Sequence, residues 1–302
     1  MMNDYYQQSM RALQLAGMSQ RTQACYTRSV RMLVDFYGTT PDQISELQLQ
    51  DYFLHRKNVD QWSAATMRIC YSGIKFFFIN VLKRHWHTLE LVHAKHEQRL
   101  PTVLSVPEVR SILNTVRTPQ NKAYLTTVYS CGLRLHEALH LQVSDIDNDR
   151  MRIHVHRGKG AKDRYVPLPG ATLDILRNYW TLHRNPVWIF PRLGRSGKEG
   201  PHATGPMNKS SVQSALRRVL EQLKFKKRIS IHTLRHSYAT HLLEAGVNIR
   251  RIQQYLGHNS LNTTMVYLHL TTQGHQRAYQ IINDLMSLKD SADRKGDNHD
   301  HN

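Results

Sequence analysis

Cysteine is scarce in this chain of 302 residues, where Cys25, Cys70 and Cys131 are scattered and odd in number. That excludes a disulfide framework and fits a reducing compartment. Long apolar runs are missing as well. The segment Ile74-Lys75-Phe76-Phe77-Phe78-Ile79 is among the longest and is far too short to span a bilayer. The N-terminal residues Met1-Met2-Asn3-Asp4-Tyr5-Tyr6 show no basic stretch followed by an apolar one, so no secretory signal is expected. Membrane and secreted classes are set aside, and a cytoplasmic location is expected. Acidic residues are the other shortage, with 23 Asp+Glu against 41 Lys+Arg and a formal charge of +18.

What is present is ordinary for a folded protein. Charged residues at 21% and hydrophobic residues at 40% argue against wholesale disorder, and the length favours two domains over one. The excess charge is concentrated. Residues 1–99 hold 12 Lys+Arg and 8 Asp+Glu, whereas residues 100–288 hold 26 and 11, a balance of +15. A polyanion such as nucleic acid is the partner that best uses such a field, because each neutralised phosphate releases counterions. A generally basic, well-solvated surface is the plainer alternative.

Residues 1–95 read as an all-helical domain. Leu13, Tyr26, Val30, Leu33, Val34 and Tyr37 follow one helical spacing that stops at Gly38, and further periodic segments cover Ile44–His55 and about Ser63–His85. Arg28, Arg68 and Lys75 on these helices are candidates to face DNA, or are simply the solvated face of amphipathic helices. Residues 94–102 form a polar linker, after which Ser105-Val106-Pro107-Glu108 is a capping box that opens a helix. Helical patterning covers Lys122–Cys131 and Leu133–Leu141. Period-two alternation at Met151–His156, a Gly-Lys-Gly turn and Arg164–Leu168 predict a two-stranded hairpin. Helices resume at Ala171–Tyr179, Ser210–Leu223, His232–Ala245, Ile249–Leu256, Leu261–Leu268 and Gln276–Leu288. Arg192–Lys209 reads as a flexible surface loop, and residues 289–302 as a disordered tail. The fold class is mainly α with a small antiparallel β sheet, and residues 103–288 form the second domain.

Four clusters share a chemical logic. Cys131-Gly132-Leu133-Arg134-Leu135-His136-Glu137 places Glu137 one turn from Arg134, near enough to orient it. Gly158-Lys159-Gly160-Ala161-Lys162 sits at the hairpin tip. His232-Thr233-Leu234-Arg235-His236 puts His232 and Arg235 on one helix face. Leu256-Gly257-His258 is followed nine residues after His258 by Tyr267. Two arginines, a lysine, two histidines and a tyrosine suit displacement at a phosphodiester by a protein nucleophile. Guanidiniums stabilise the transition-state charge without a metal, imidazoles donate hydrogen bonds or manage the tyrosine proton, and Lys159 can protonate the departing alkoxide. Positive charge is needed to favour the phenolate of a tyrosine whose ordinary pKa is about 10.

Here the chain resembles the tyrosine recombinases, the phage-type integrases, and most closely their Xer-like bacterial members. The resemblance rests on Thr127–Leu139, on Gly158–Leu168 and on the block His232–Tyr267. It implies a helical core-binding (SAM-like) domain followed by a catalytic domain. Arg134, Lys159, His232, Arg235 and His258 would then be the activating set, and Tyr267 the nucleophile. Lys162 and Arg164 are expected as phosphate contacts. The resemblance further implies a 3′-phosphotyrosyl intermediate with neither ATP nor metal. It implies double-stranded DNA with inverted-repeat half-sites as partner, four protomers on synapsed DNA, and a nucleoid-associated bacterial setting. The helix at Gln276–Leu288 would be exchanged between neighbours.

Taken singly, each cluster has a plainer reading. Arg134 alone would be a surface salt-bridge partner, Gly158-Lys159-Gly160 a hairpin turn, and Tyr267 a core aromatic. His232 and His236, at i and i+4, lack the Glu and the third ligand of a zinc site, so no metal and no cofactor are expected. Tyr238 and Tyr255 read as packing residues. The rivals are a type IB topoisomerase-like nicking-closing enzyme and a DNA-binding regulator that no longer cuts.

Overall fold

The computed structural model describes residues 2–91, 100–156, 163–194 and 200–270. The chain divides between Arg99 and Leu100 into two compact units.

In the first unit, α1 (Met2–Leu15) and α2 (Gln20–Tyr37) are separate helices where the apolar spacing suggests one. Gly17, at φ 64°, turns the chain between them. Ser19 then caps α2 by accepting the Thr22 N–H. Helix α3 (Glu46–Asn58) opens with a reciprocal Ser45–Gln48 capping box, and α4 (Ala64–Asn80) with Ser63 as N-cap. A short α5 (Thr88–Leu91) follows. The contact between α2 and α4 is close at Gly73. A Cβ there would stand 2.9 Å from Tyr26 Cα and 3.0 Å from Ser29 Cβ, so only glycine permits the approach. Leu33, Leu49, Tyr52, Ile74, Phe77 and Phe78 fill the core of this unit.

The second unit begins with α6 (Val106–Thr115), opened by the expected Ser105–Glu108 box, then α7 (Pro119–Cys131) and α8 (Leu135–Leu139). A three-stranded antiparallel sheet follows, in the order β1 (Ile146–Asp147), β2 (Arg152–Val155), β3 (Arg164–Pro167). The expected hairpin thus gains a third strand, too short to show an alternation of its own. Ile153 faces Val166 across the ladder, and Ile153 and Val155 point into the core while Arg152 and His154 lie on the other face. Then come α9 (Gly170–His183), α10 (Lys209–Gln222), α11 (Ile231–Glu244), α12 (Ile249–Leu256) and α13 (Asn262–Met265). The core gathers Leu104, Tyr124, Leu125, Val128, Ile153 and Phe190.

Two expectations are corrected. The helix expected over Leu261–Leu268 ends at Met265, where the β-branched run Thr263-Thr264 and Val266 weakens helical propensity. The Arg192–Lys209 segment is not a loose loop where it is described. Asn185, 1% exposed, donates to the carbonyls of Gly200 and Ala203, and the Met207 N–H donates to Phe190 O. The helix expected at Gln276–Leu288, the tail and most of the linker lie outside the described residues. Among the described residues, no helix is long and apolar enough to cross a membrane.

Candidate active site

Two glycine helix ends build this site. Gly132 terminates α7 at φ 61°. A Cβ on it would fall 2.4 Å from Tyr238 Cδ1, so backbone conformation and neighbour both require glycine. The turn delivers Arg134 to the start of α8, where its backbone N–H donates to Glu137 Oε2 at 2.8 Å. Gly257 terminates α12 at φ 59°, and a Cβ there would meet Arg164 Cδ at 2.9 Å.

The end of α12 gathers three arginines from three other places in the chain. Tyr255 O accepts from Arg164 Nε at 2.8 Å, Leu256 O from Arg235 Nη2 at 2.5 Å, and Gly257 O from Arg134 Nη2 at 2.9 Å. Gly132 O, at the end of α7, accepts from Arg235 Nη1 at 2.7 Å. Helix C-termini carry partial negative charge, which favours cations there. Glu137 completes the frame. It takes Arg134 Nη1 at 2.7 Å and Arg164 through both Nη atoms at 2.9 and 2.7 Å, with Arg235 Nη1 3.7 Å away. Three guanidiniums against one carboxylate leave a local excess of two positive charges, fixed in place.

Burial works against the Glu137 carboxylate, yet the Arg164 and Arg134 hydrogen bonds and charges outweigh it and hold the pKa at about 2. Burial, then the Arg134 charge, pulls Arg235 down to about 9, which leaves it cationic at neutral pH. Burial and the charge of Arg235 lower His258 to about 3. Desolvation and the charges of Arg235 and Arg134 also lower His232. Both imidazoles are therefore neutral at pH 7. Neutral His258 lies between Arg235 Nη2 at 3.2 Å and Thr264 Oγ1 at 2.9 Å, one ring nitrogen to each.

Tyr267 follows α13 and is 3% exposed, its ring stacked on His258 at 6.4 Å between centroids. Its hydroxyl meets His236 Nδ1 at 2.9 Å. Arg235 and Arg134 lower its pKa, but burial raises it more, so the net shift is upward. The positive charge expected to favour the phenolate is thus present and outweighed in this conformation.

Arg134, His232, Arg235, His258 and Tyr267 therefore converge in the second unit, with Glu137 as the group that orients the arginines. Lys159 and Lys162 lie outside the described residues. Arg164 does not fit the expected phosphate contact: all three of its guanidinium nitrogens are engaged, both Nη by Glu137 and Nε by the Tyr255 carbonyl. In the first unit Arg28 is exposed on α2, while Arg68 and Lys75 are half-buried on α4. Tyr238 and Tyr255 pack within the core as expected.

The Phage integrase family matches residues 102–274, and the Phage integrase N-terminal SAM-like domain matches residues 5–88. The chain belongs to the phage integrase family. A Sinorhizobium fredii protein that carries the name integrase/recombinase is 37% identical over 261 residues, covering 86% of this chain and 82% of its own. A tyrosine recombinase of Thermosipho africanus is 31% identical over 267 residues, covering 84% and 90%. The fold is shared with the XerH site-specific recombinase, solved bound to a palindromic difH substrate. That match has a TM-score of 0.69 at 19% identity over 88% of this chain and 81% of that one. As a phage integrase family member, the protein is a tyrosine-type site-specific recombinase.

Two partners in this integrase site escape sequence reading. His236 touches the tyrosine hydroxyl, although its place directly after Arg235 invites only comparison with His232 as a zinc ligand. Thr264 orients His258 from six residues away. Its only signal is a hydroxyl one short turn before Tyr267.

Proposed function

We propose that this integrase cuts and rejoins duplex DNA through a 3′-phosphotyrosyl bond at Tyr267. The observation that carries the reading is the convergence of Arg134, Arg164 and Arg235 on Glu137 and the end of α12, beside a tyrosine. Arg134, the most exposed of the three at 21%, and Arg235 hold the non-bridging oxygens and stabilise the pentacoordinate charge. Neutral His232 donates a hydrogen bond to the same phosphate, and His258 does so once its Nε2 parts from Arg235. Tyr267 attacks and Lys159 protonates the 5′ oxygen as it leaves. The phosphodiester energy stays in the covalent link, so rejoining needs neither ATP nor metal.

The relatives solved on DNA support duplex DNA as substrate. Arg28, Arg68 and Lys75 of the first unit contact its backbone. Two inverted half-sites and four protomers on synapsed DNA complete the reaction, in the bacterial cytoplasm. The test is a nicked suicide duplex incubated in EDTA, followed by denaturing electrophoresis and peptide mapping. Wild-type protein becomes linked to the 3′ phosphate through Tyr267, and Tyr267→Phe does not. An adduct in the Phe variant, or one mapping to Tyr238 or Tyr255, refutes the assignment. Loss of all cleavage in EDTA refutes the metal-free chemistry. Strand exchange between two labelled duplexes separates recombination from topoisomerase-like nicking and closing.

A further inference from the structure

We infer that His154, His156 and Asp163 form a binding site for one divalent transition ion, Zn2+ by ligand chemistry, at the loop end of the β2–β3 hairpin. The inference does not depend on the reaction at Tyr267. His154 and His156 are two residues apart on an extended segment, so they share one face of the sheet, opposite the buried Ile153 and Val155. Asp163 directly precedes β3, and the pairing of Val155 with Arg164 brings it across from His156. Asp163 Oδ2 lies 3.3 Å from His154 Nε2 and 3.5 Å from His156 Nδ1. Ligand atoms about 2.0 Å from a tetrahedral zinc are separated by about 3.3 Å, so both edges already have the required length. One ligand atom from each of the three residues lies within 4.8 Å of the others.

A second observation comes from behind the histidines. Asp145 is 4% exposed, and its Oδ2 accepts the Gln142 N–H at 2.8 Å. Its Oδ1 accepts no hydrogen bond from elsewhere among the described residues and faces His156 Nε2 at 2.7 Å. A histidine that ligates through one ring nitrogen commonly directs the other to a buried carboxylate, which fixes its tautomer and raises its basicity. Asp145 is placed to do this for His156. His154 is held by stacking on Tyr165, 4.6 Å between centroids at 17°. Two imidazoles and one carboxylate select zinc-like ions over Mg2+ or Ca2+, which prefer all-oxygen shells. The site opens into a cleft of about 650 Å³ that His136 and His140 also line, which leaves a fourth position to water. An ion here ties the two strands together where they leave for the segment that carries Lys159.

The alternative is that His156 is simply a protonated bridge between Asp145 and Asp163, with no affinity for metal. The test uses the untagged full chain stripped with EDTA and titrated with Zn2+ against a chromophoric chelator. Co2+ serves as a spectroscopic substitute. The expected result is one equivalent bound, with the visible bands of four-coordinate Co2+, no competition by Mg2+, and a thermal midpoint raised by Zn2+. His154→Gln and Asp163→Asn each weaken binding at least about tenfold and remove the thermal shift, while Asp145→Asn weakens it by about 10–100-fold. His140→Gln, on the facing wall, retains wild-type affinity. His154 and Asp163 lie near the surface, and unchanged melting of the metal-free variants shows that the fold survives. Failure of the wild-type chain to bind stoichiometrically overturns the site in favour of the protonated bridge. Equal affinity in wild type, His154→Gln and Asp163→Asn overturns it by placing the ion elsewhere, for example at His299 and His301.

Discussion

Replacing Glu137 by Gln keeps the shape of the side chain and removes the anion on which three arginines converge. The carboxylate is 8% exposed and accepts four hydrogen bonds, one from the Arg134 backbone and three from guanidinium nitrogens. Its pKa falls from an ordinary 4.5 to about 2. At about 1.4 kcal/mol per pH unit, that difference corresponds to about 3 kcal/mol of folding stability. The independent expectation for removing one partner of a buried ion pair is about 3–5 kcal/mol, because Arg164 and Arg235 stay buried with their charge. A group with a depressed folded pKa stabilises above its unfolded pKa, and that contribution is lost as pH falls through the folded value. The wild-type advantage over Glu137→Gln should therefore be constant above about pH 5. Between about pH 4.5 and 2 it should shrink by up to about 1.4 kcal/mol per pH unit. Trp180 and Trp188 both lie in the second unit, so urea unfolding followed by fluorescence in a Trp62→Phe, Trp86→Phe background isolates its transition. A loss below about 1 kcal/mol at pH 7 would refute the reasoning, as would a difference that stays constant down to pH 3.

Gly132→Ala combines a left-handed backbone, costing about 1–2 kcal/mol, with a Cβ 2.4 Å from the Tyr238 ring. It should lower the thermal midpoint and abolish covalent capture, and a variant as stable as wild type would show that the ring yields freely. Lys159→Ala should slow cleavage by about 10²–10⁴-fold, yet cleave a 5′-bridging phosphorothiolate nearly normally, since that leaving group needs no proton. Equal impairment on both substrates would make Lys159 a positioning residue. DNA affinity should fall with salt at a log–log slope of about −0.9 per neutralised phosphate, and a nearly flat dependence would detach the +15 balance of residues 100–288 from DNA.

Helix ends were the most legible part of the fold because their chemistry is local. Gly38, Gly132 and Gly257 stop periodic apolar segments, and each adopts the left-handed conformation that only glycine takes without cost. Ser105 and Glu108 make their box within one turn. The gathering of Arg134, Arg235, His258 and Tyr267 was legible for a different reason, since they stand in motifs that resemble those of one family. What escaped depends on contacts between distant residues. Arg164 reads as a free cation until the fold brings it to Glu137, 27 residues away, and His236 has no visible purpose until Tyr267, 31 residues on, meets it. Asn185 organises Gly200–Ala203 in the same way, so a polar segment that resembles a loose loop is pinned.

The resting geometry separates the two halves of the proposed reaction. The cations are oriented before any phosphate arrives, because the α7 and α12 carbonyls and Glu137 hold them, so little reorganisation remains for the transition state. Tyr267, the proposed nucleophile, is in the opposite condition. Its hydroxyl faces His236, whose pKa burial and the charges of His232 and Arg235 lower to about 4. An ordinary phenol titrates near 10, and Tyr267 is shifted above that. Proton transfer from Tyr267 to His236 is therefore uphill in this conformation. With Tyr267 as the nucleophile proposed above, cleavage requires it to leave His236 and bring its oxygen to a phosphate where Arg134 and Arg235 act on the developing charge directly. On the proposed reaction, the committing step would be a movement of the Thr264–Tyr267 segment.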